Sequence, residues 1–361
     1  MRTKPQFKRE ESNPFFSLLK QDTKPLFEAY ANKARKTTWA KVIIYPLLYA
    51  MVYSILLLKG ENIIWFYCCY ILLGLLVTLN VFNIVHDAVH HALFEKSKLN
   101  KRAALLLDIM GGNSFVWGKR HVLYHHTFTN VPNWDIDVQQ TELVKFNPRQ
   151  QYKWHHQYQY LYMPVLYLFY SLNWILVRDF KDFYHKKSLV KQKTTIPLAE
   201  YYKLFTYKLL YVLYLVVIPV IYLSHQWYHF VTGILLMHWF TSALTLLVLL
   251  PSHLDEHAVF PEPDENLLLE DTWAVHQLKV TNDFGTNNWF LNFVMGGLNH
   301  HIAHHLFPKT NHNIIPHLTK KIEMAAKQNS LPYRCYTLKE VMVSHFKLLK
   351  KNGQRHNFFE E

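Results

Sequence analysis

The stretch IIWFYCCYILLGLLVTLNVFNIVHDAVHH, residues 63–91, joins the two signals from which the rest of the chain is read. Residues 63–82 carry no charge, and a helix of roughly 20 apolar residues is what crosses a hydrocarbon core about 30 Å thick. The run ends in HDAVHH, which sets His86, His90 and His91 just past it. Residues three or four apart on a helix share a face, and neutral imidazole is the commonest metal ligand. An apolar span that delivers histidines to one side of a membrane is therefore the unit of construction.

Three more runs have the same character: 39–58, 204–223 and 230–250. Half of the 361 residues are hydrophobic and 16% are aromatic, which together with the runs indicates an all-α, polytopic membrane protein. The N-terminus, MRTKPQFKREESNPFFSLLKQDTK, is charged before any apolar run begins, so it does not read as a cleavable secretory signal. Cys68 and Cys69 are adjacent and Cys335 stands alone. That set offers neither a disulfide framework nor a zinc-ribbon spacing, and it fits a reducing cytoplasmic face.

The net charge of +13 is not accompanied by a nucleic-acid motif, and its distribution gives a better cause. Lys and Arg crowd the first 41 residues, 178–208 and the C-terminal tail, while the links 59–62 and 224–229 are short and carry one Lys between them. The positive-inside rule then gives two hairpins with both termini in the cytoplasm. If 160–177 also crossed, the last histidine cluster would face away from the others. It is read as an interfacial helix, as is 103–117 with Gly111 and Gly112. The expected organisation is a cytoplasmic segment 1–38, one domain over 39–350 with a histidine-rich cytoplasmic cap, and a tail 351–361.

Two further clusters repeat the first: HVLYHH with His121, His125 and His126, and HIAHH with His301, His304 and His305. Three copies of such spacing among 23 histidines point to metal. Imidazole suits zinc, iron, copper or nickel, but nine histidines exceed the needs of one zinc and suit a pair of iron ions with positions open to dioxygen. His238 lies alone in the last run and is read as a buried, hydrogen-bonded residue.

TWAVHQLKVTNDF (272–284) followed by MGGLNHHIAHHLFP (295–308) closely resembles the membrane fatty acid desaturases, most nearly the bacterial and cyanobacterial front-end, delta-6-like branch. HDAVHH and HVLYHHTFTNVPNWDID resemble that family's first two boxes, and LPYRCYTLKEVMVSHFKLLKKNG its usual ending. The resemblance covers about residues 40–350. It implies a four-span fold with a histidine-ligated diiron centre in a cytoplasmic cap. The implied reaction uses dioxygen and two electrons to place a cis double bond in a long acyl chain, carried on a lipid or on coenzyme A. The implied ligands are His86, His90, His91, His121, His125, His126, His301, His304 and His305, with His276 of WAVHQ as an extra one. Asp87, Asn130, Asp135, Asp137 and His253 are expected to support the ligand rings.

The chain shows no dinucleotide fingerprint, no cysteine set for an iron–sulfur cluster and no HPGG haem motif. Electrons are thus expected from a separate ferredoxin or cytochrome b5-like donor, drawn by the basic face, although anionic lipid explains the same charge. A membrane hydroxylase or ketolase shares the histidine boxes. A transmembrane haem protein would need paired histidines inside the spans, and a metal transporter would need ionisable residues at mid-membrane.

Overall fold

The computed structural model describes residues 4–9, 14–138 and 141–355; the last six residues of the tail lie outside the described ones. Four helices are long and apolar enough to cross a membrane: Phe15–Lys59, Ile63–Val89, Leu198–Tyr222 and Trp227–Leu249. The chain divides into two compact units. A span unit comprises residues 35–119 and 166–246, and a histidine unit comprises 1–34, 120–165 and 247–361.

In the span unit the four apolar runs fold as helices because no other open structure satisfies its backbone groups without water. Their inward faces pack Leu56, Phe66, Tyr70, Leu73, Leu215 and Met237 into one core. Leu47, Leu58, Ile64, Leu209 and Ile221 point outward and are exposed, as lipid-facing residues are. Gly74 sets the closest approach in this core. A Cβ there would lie 2.3 Å from the Met237 carbonyl oxygen, and the Thr241 hydroxyl donates to the Gly74 carbonyl at 3.0 Å. Small residues that let two backbones meet, with a hydroxyl bonding across, are the usual means of joining helices in lipid.

The second span begins under Asn62, whose side chain accepts from the amides of Ile64 and Trp65, and it runs unbroken into the first histidine cluster. Over Val81–Val85 it widens to a π turn: the His86 amide bonds the Val81 carbonyl, five residues back. The first helix starts at Phe15, well before the apolar run at 39, because Phe15 and Leu19 are buried in the core of the histidine unit. The stretch 103–117 is not one helix. Ser97–Ile109 and Ser114–Gly118 are separated by a turn through Gly111, whose φ of +91° suits only glycine. Similarly, 160–177 breaks between Tyr167 and Tyr170, so the described residues hold four candidate spans, or five if that bent pair crosses.

The histidine unit packs Trp273–Val280, His301–Leu306 and Ile315–Gln328 around Leu278, Ile302, Leu306, Leu318 and Ile322. Two short parallel pairings tie its ends together: Gln6–Lys8 with Leu268–Thr272, and Asp283–Phe284 with Cys335–Tyr336. The last helix, Leu338–Asn352, opens on a capping box of Thr337 and Glu340.

Gly74→Val should force the second and fourth spans apart and destabilise the span unit by about 1–3 kcal/mol, the usual cost of overpacking. A lower melting temperature in detergent is the expected result; an unchanged one would show that the close approach is not needed.

Candidate metal centre

The geometry of the second cluster follows from a widened turn. Over Lys119–His125 the helix is of π type, and the His126 amide bonds the His121 carbonyl at 3.0 Å. Residues five apart therefore come to one side of the helix, and the Nε2 atoms of His121 and His126 meet edge-on within 3.2 Å. His304 brings its Nε2 to 3.0 Å from that of His126. His121, His126 and His304 each offer a nitrogen within 4.8 Å of the others.

A second set lies in the same unit. His125, His253, His301 and His305 also offer nitrogens within 4.8 Å of one another, and the Nε2 atoms of His253 and His301 are 2.7 Å apart. Neighbours in sequence thus serve different sets: His125 and His126 separate, as do His304 and His305. Adjacent helical residues point about 100° apart, so one short helix feeds two sites.

The other ring nitrogens are anchored outward. Nδ1 of His125 lies 3.0 Å from Asp135 and Nδ1 of His121 lies 3.2 Å from Asp137. His301 Nδ1 meets the Leu298 carbonyl at 3.0 Å, and His305 Nδ1 meets Gln277 Oε1 at 2.8 Å. An Nδ1–H held by an oxygen fixes the tautomer and leaves Nε2 as the free lone pair, the usual support of a metal-bound imidazole. Asp135 is itself held by the amides of Asn130, Asp137 and Val138. Asp137 pairs with Arg120 at 2.9 Å, and Arg120 is wholly buried.

Burial holds His253 and His305 well below the ordinary histidine pKa, reinforced by the neighbouring imidazoles. Both are thus neutral and able to ligate. His305 Nε2 is buried without a hydrogen-bond partner, which is costly unless something else occupies its lone pair. Seven buried imidazoles with converging Nε2 atoms and carboxylate supports fit a pair of nitrogen-ligated transition ions.

The remaining sequence-based candidates take varied places. In the span unit His86 and His90 are buried with ring centroids 4.7 Å apart, and Asp87 stands 3.7 Å from His86 Nδ1. His91 is exposed, with a φ of +57° and Ser97 at 3.5 Å. His276 is buried, but its Nε2 bonds the Thr129 carbonyl at 2.8 Å and it joins neither set; burial lowers its pKa to about 4. Asn130 meets no ligand ring. Its side chain donates to the carbonyls of His253 and Val259, so it fixes the backbone that carries His253.

His253, expected only to support the site, sits inside the second set. In SHLDEHAVFP it has a spacing partner four residues on, but that partner, His257, is exposed and joins neither set, so the pair did not mark a cluster. Two residues were not visible in the sequence at all. Gln277, one turn into WAVHQLKV, holds His305. Lys41, 4% exposed in the first span, places its Nζ 2.7 Å from Asn83 Oδ1, just before the first cluster. His238 is buried between Tyr211 and Ser171 at 2.8 and 2.9 Å, as its isolation suggested.

A family model described as fatty acid desaturase matches residues 62–337. The acyl-lipid (8-3)-desaturase of Physcomitrium patens is 33% identical over 75% of the chain, which spans 57% of that relative's length. The sn-1 linoleoyl-lipid 6-desaturases of Arthrospira platensis and Synechocystis sp. are 29% and 30% identical. Those alignments cover 81% and 76% of the chain, and 79% and 76% of the relatives.

Asp135→Asn keeps the shape but removes the charge behind His125, and metal affinity should fall about 10–100-fold, the usual effect of losing such a support. Chelator competition read by metal analysis measures it, with the exposed His257→Ala as the unchanged reference; equal affinities would contradict the assignment.

Proposed function

Because the chain belongs to the fatty acid desaturase family, we propose that it is a dioxygen-dependent acyl desaturase of the front-end, delta-6-like type, forming a cis double bond in a long acyl chain. The observation that carries this reading is the pair of imidazole sets in the histidine unit. The cofactor is two iron ions. When bound, they supply the activation of dioxygen that withdraws two hydrogens from an unactivated chain.

The chain's own residues hold and shield that centre. His121, His126 and His304 would hold one ion, and His125, His253, His301 and His305 would hold the other. His86 and His90 of the first box are proposed as further ligands on the strength of the motif; His91 is exposed and His276 has its Nε2 on the Thr129 carbonyl, so neither is assigned to the metal. Asp135 and Asp137 orient His125 and His121, while Leu298 and Gln277 orient His301 and His305. Burial excludes water from the rings and holds His253 and His305 neutral.

The fold is proposed to be two hairpins with the histidine unit and both termini on the cytoplasmic side, and with the bent stretch 160–177 lying in the interface. The substrate is an acyl-lipid, the class that the names of the similar proteins carry. In the span unit a cavity of about 530 Å³, its open mouth included, is lined by Val77, Val81, Leu107, Trp174, Ile175 and Met237. Its apolar walls suit part of an acyl chain. Electrons come from a separate ferredoxin or cytochrome b5-like protein, whose acidic surface the net charge of +13 attracts.

Expression in a host that lacks polyunsaturated lipids should yield a new cis double bond, seen by gas chromatography with mass spectrometry. His304→Ala and His125→Ala should abolish it while the protein still inserts. Full product from either variant would overturn the ligand assignment, and an oxygenated product would make the enzyme a hydroxylase. Ile175→Trp should fill the cavity and suppress the product with metal content unchanged; full product would remove the cavity from the substrate path.

A further inference from the structure

The segment that leads into the third histidine cluster has an outward face with no role in the site. Trp289–Val294 is a single short helix, capped by Asn288, whose side chain accepts from the amides of Phe290 and Leu291. Trp289, Phe290 and Phe293 are 76%, 55% and 46% exposed, and Phe293, four residues from Trp289 and three from Phe290, neighbours both on the outward side. The opposite face looks inward. Leu291 packs on Gly285, where a Cβ would come within 2.9 Å of it. Asn292 donates to the Thr286 carbonyl at 3.0 Å, and its Oδ1 receives Asn299 at 2.7 Å and His300 Nε2 at 3.0 Å. His300 in turn begins the turn that carries His301, His304 and His305.

We propose that Trp289, Phe290 and Phe293 insert into the headgroup layer of the protein's own bilayer, and that Asn292 latches this anchor to the third histidine cluster. Three observations select lipid as the occupant. From Phe284 to Pro308 there is no Asp, Glu, Lys or Arg, in a chain of which 18% is charged. An acidic electron donor would find nothing there to pair with. A six-residue helix with three exposed rings also offers far less than the roughly 800 Å² that each partner buries in a stable protein interface. Finally, the chain holds four candidate spans, so it carries its own bilayer, and Trp, the most exposed ring of this face, is enriched at membrane–water interfaces. The anchor fixes the depth at which the third cluster sits, and with it the depth at which a chain still attached to its lipid is met.

The test needs no desaturase activity, so its failure is separable from failure of the proposed reaction. In a background with Cys68, Cys69 and Cys335 replaced by Ser, Phe290→Cys is labelled with bimane and the iron-loaded protein is placed in phosphatidylcholine vesicles. The expected result is quenching by a lipid with a nitroxide near its headgroup that is several-fold stronger than quenching by aqueous iodide. The order should reverse for Lys320→Cys, an exposed position on another helix of the same unit. Phe293→Cys provides a second label site, and iron content reports that each variant is folded. Iodide quenching at 290 and 293 equal to that at 320 would place the face in water. Protection from both quenchers would mean that protein covers it. Either result overturns the proposal.

Discussion

The histidine unit depends on one constraint: neutral imidazoles must crowd together in a dry interior with their Nε2 lone pairs facing one another. Approaches such as 2.7 Å between His253 and His301 and 3.0 Å between His126 and His304 make sense when something electron-poor shares the space. Everything around the rings serves that arrangement. Asp135, Asp137, Gln277 and the Leu298 carbonyl take the Nδ1 side, and three backbone amides hold Asp135 in turn. Asp283 accepts from the Ile302 amide at 2.8 Å and from Tyr333 at 2.7 Å, pinning the start of the helix that carries His304 and His305.

Local helix geometry divides the rings between two sets. An α-helix would pair His121 with His125, four residues on. The π turn pairs it with His126 instead and sends His125 to the set containing His253, His301 and His305. The span unit shows the same device: its π turn at Val81–Val85 directly precedes His86. Such turns are uncommon and gather at functional sites. The turns at Val81–Val85 and Lys119–His125 re-aim histidines that regular spacing would place differently, whereas those at Trp174–Arg178 and Leu213–Val217 carry none.

Much of this was legible in the sequence because its signals are local and strong. Apolar runs of span length located the four candidate spans, and paired histidines located the three clusters. What escaped depends on bonds between distant segments. The helical start at Phe15 is set by burial against Ile302 and Leu318 rather than by any pattern in residues 15–38. The place of His253 is set by the turn after the last span and by Asn130, more than a hundred residues earlier. His276 has a motif around it that suggests ligation, yet its Nε2 is taken by a carbonyl, which no spacing rule anticipates. The break at Gly111 depends on a left-handed backbone that a run of apolar letters conceals.

The proposed reaction needs two metal ions held by the interleaved histidines. Metal analysis and Mössbauer spectroscopy of the purified holoprotein test this most directly. Two irons per chain with the signature of a magnetically coupled pair is the predicted result. A single iron per chain, or two irons that behave as isolated centres, would contradict it.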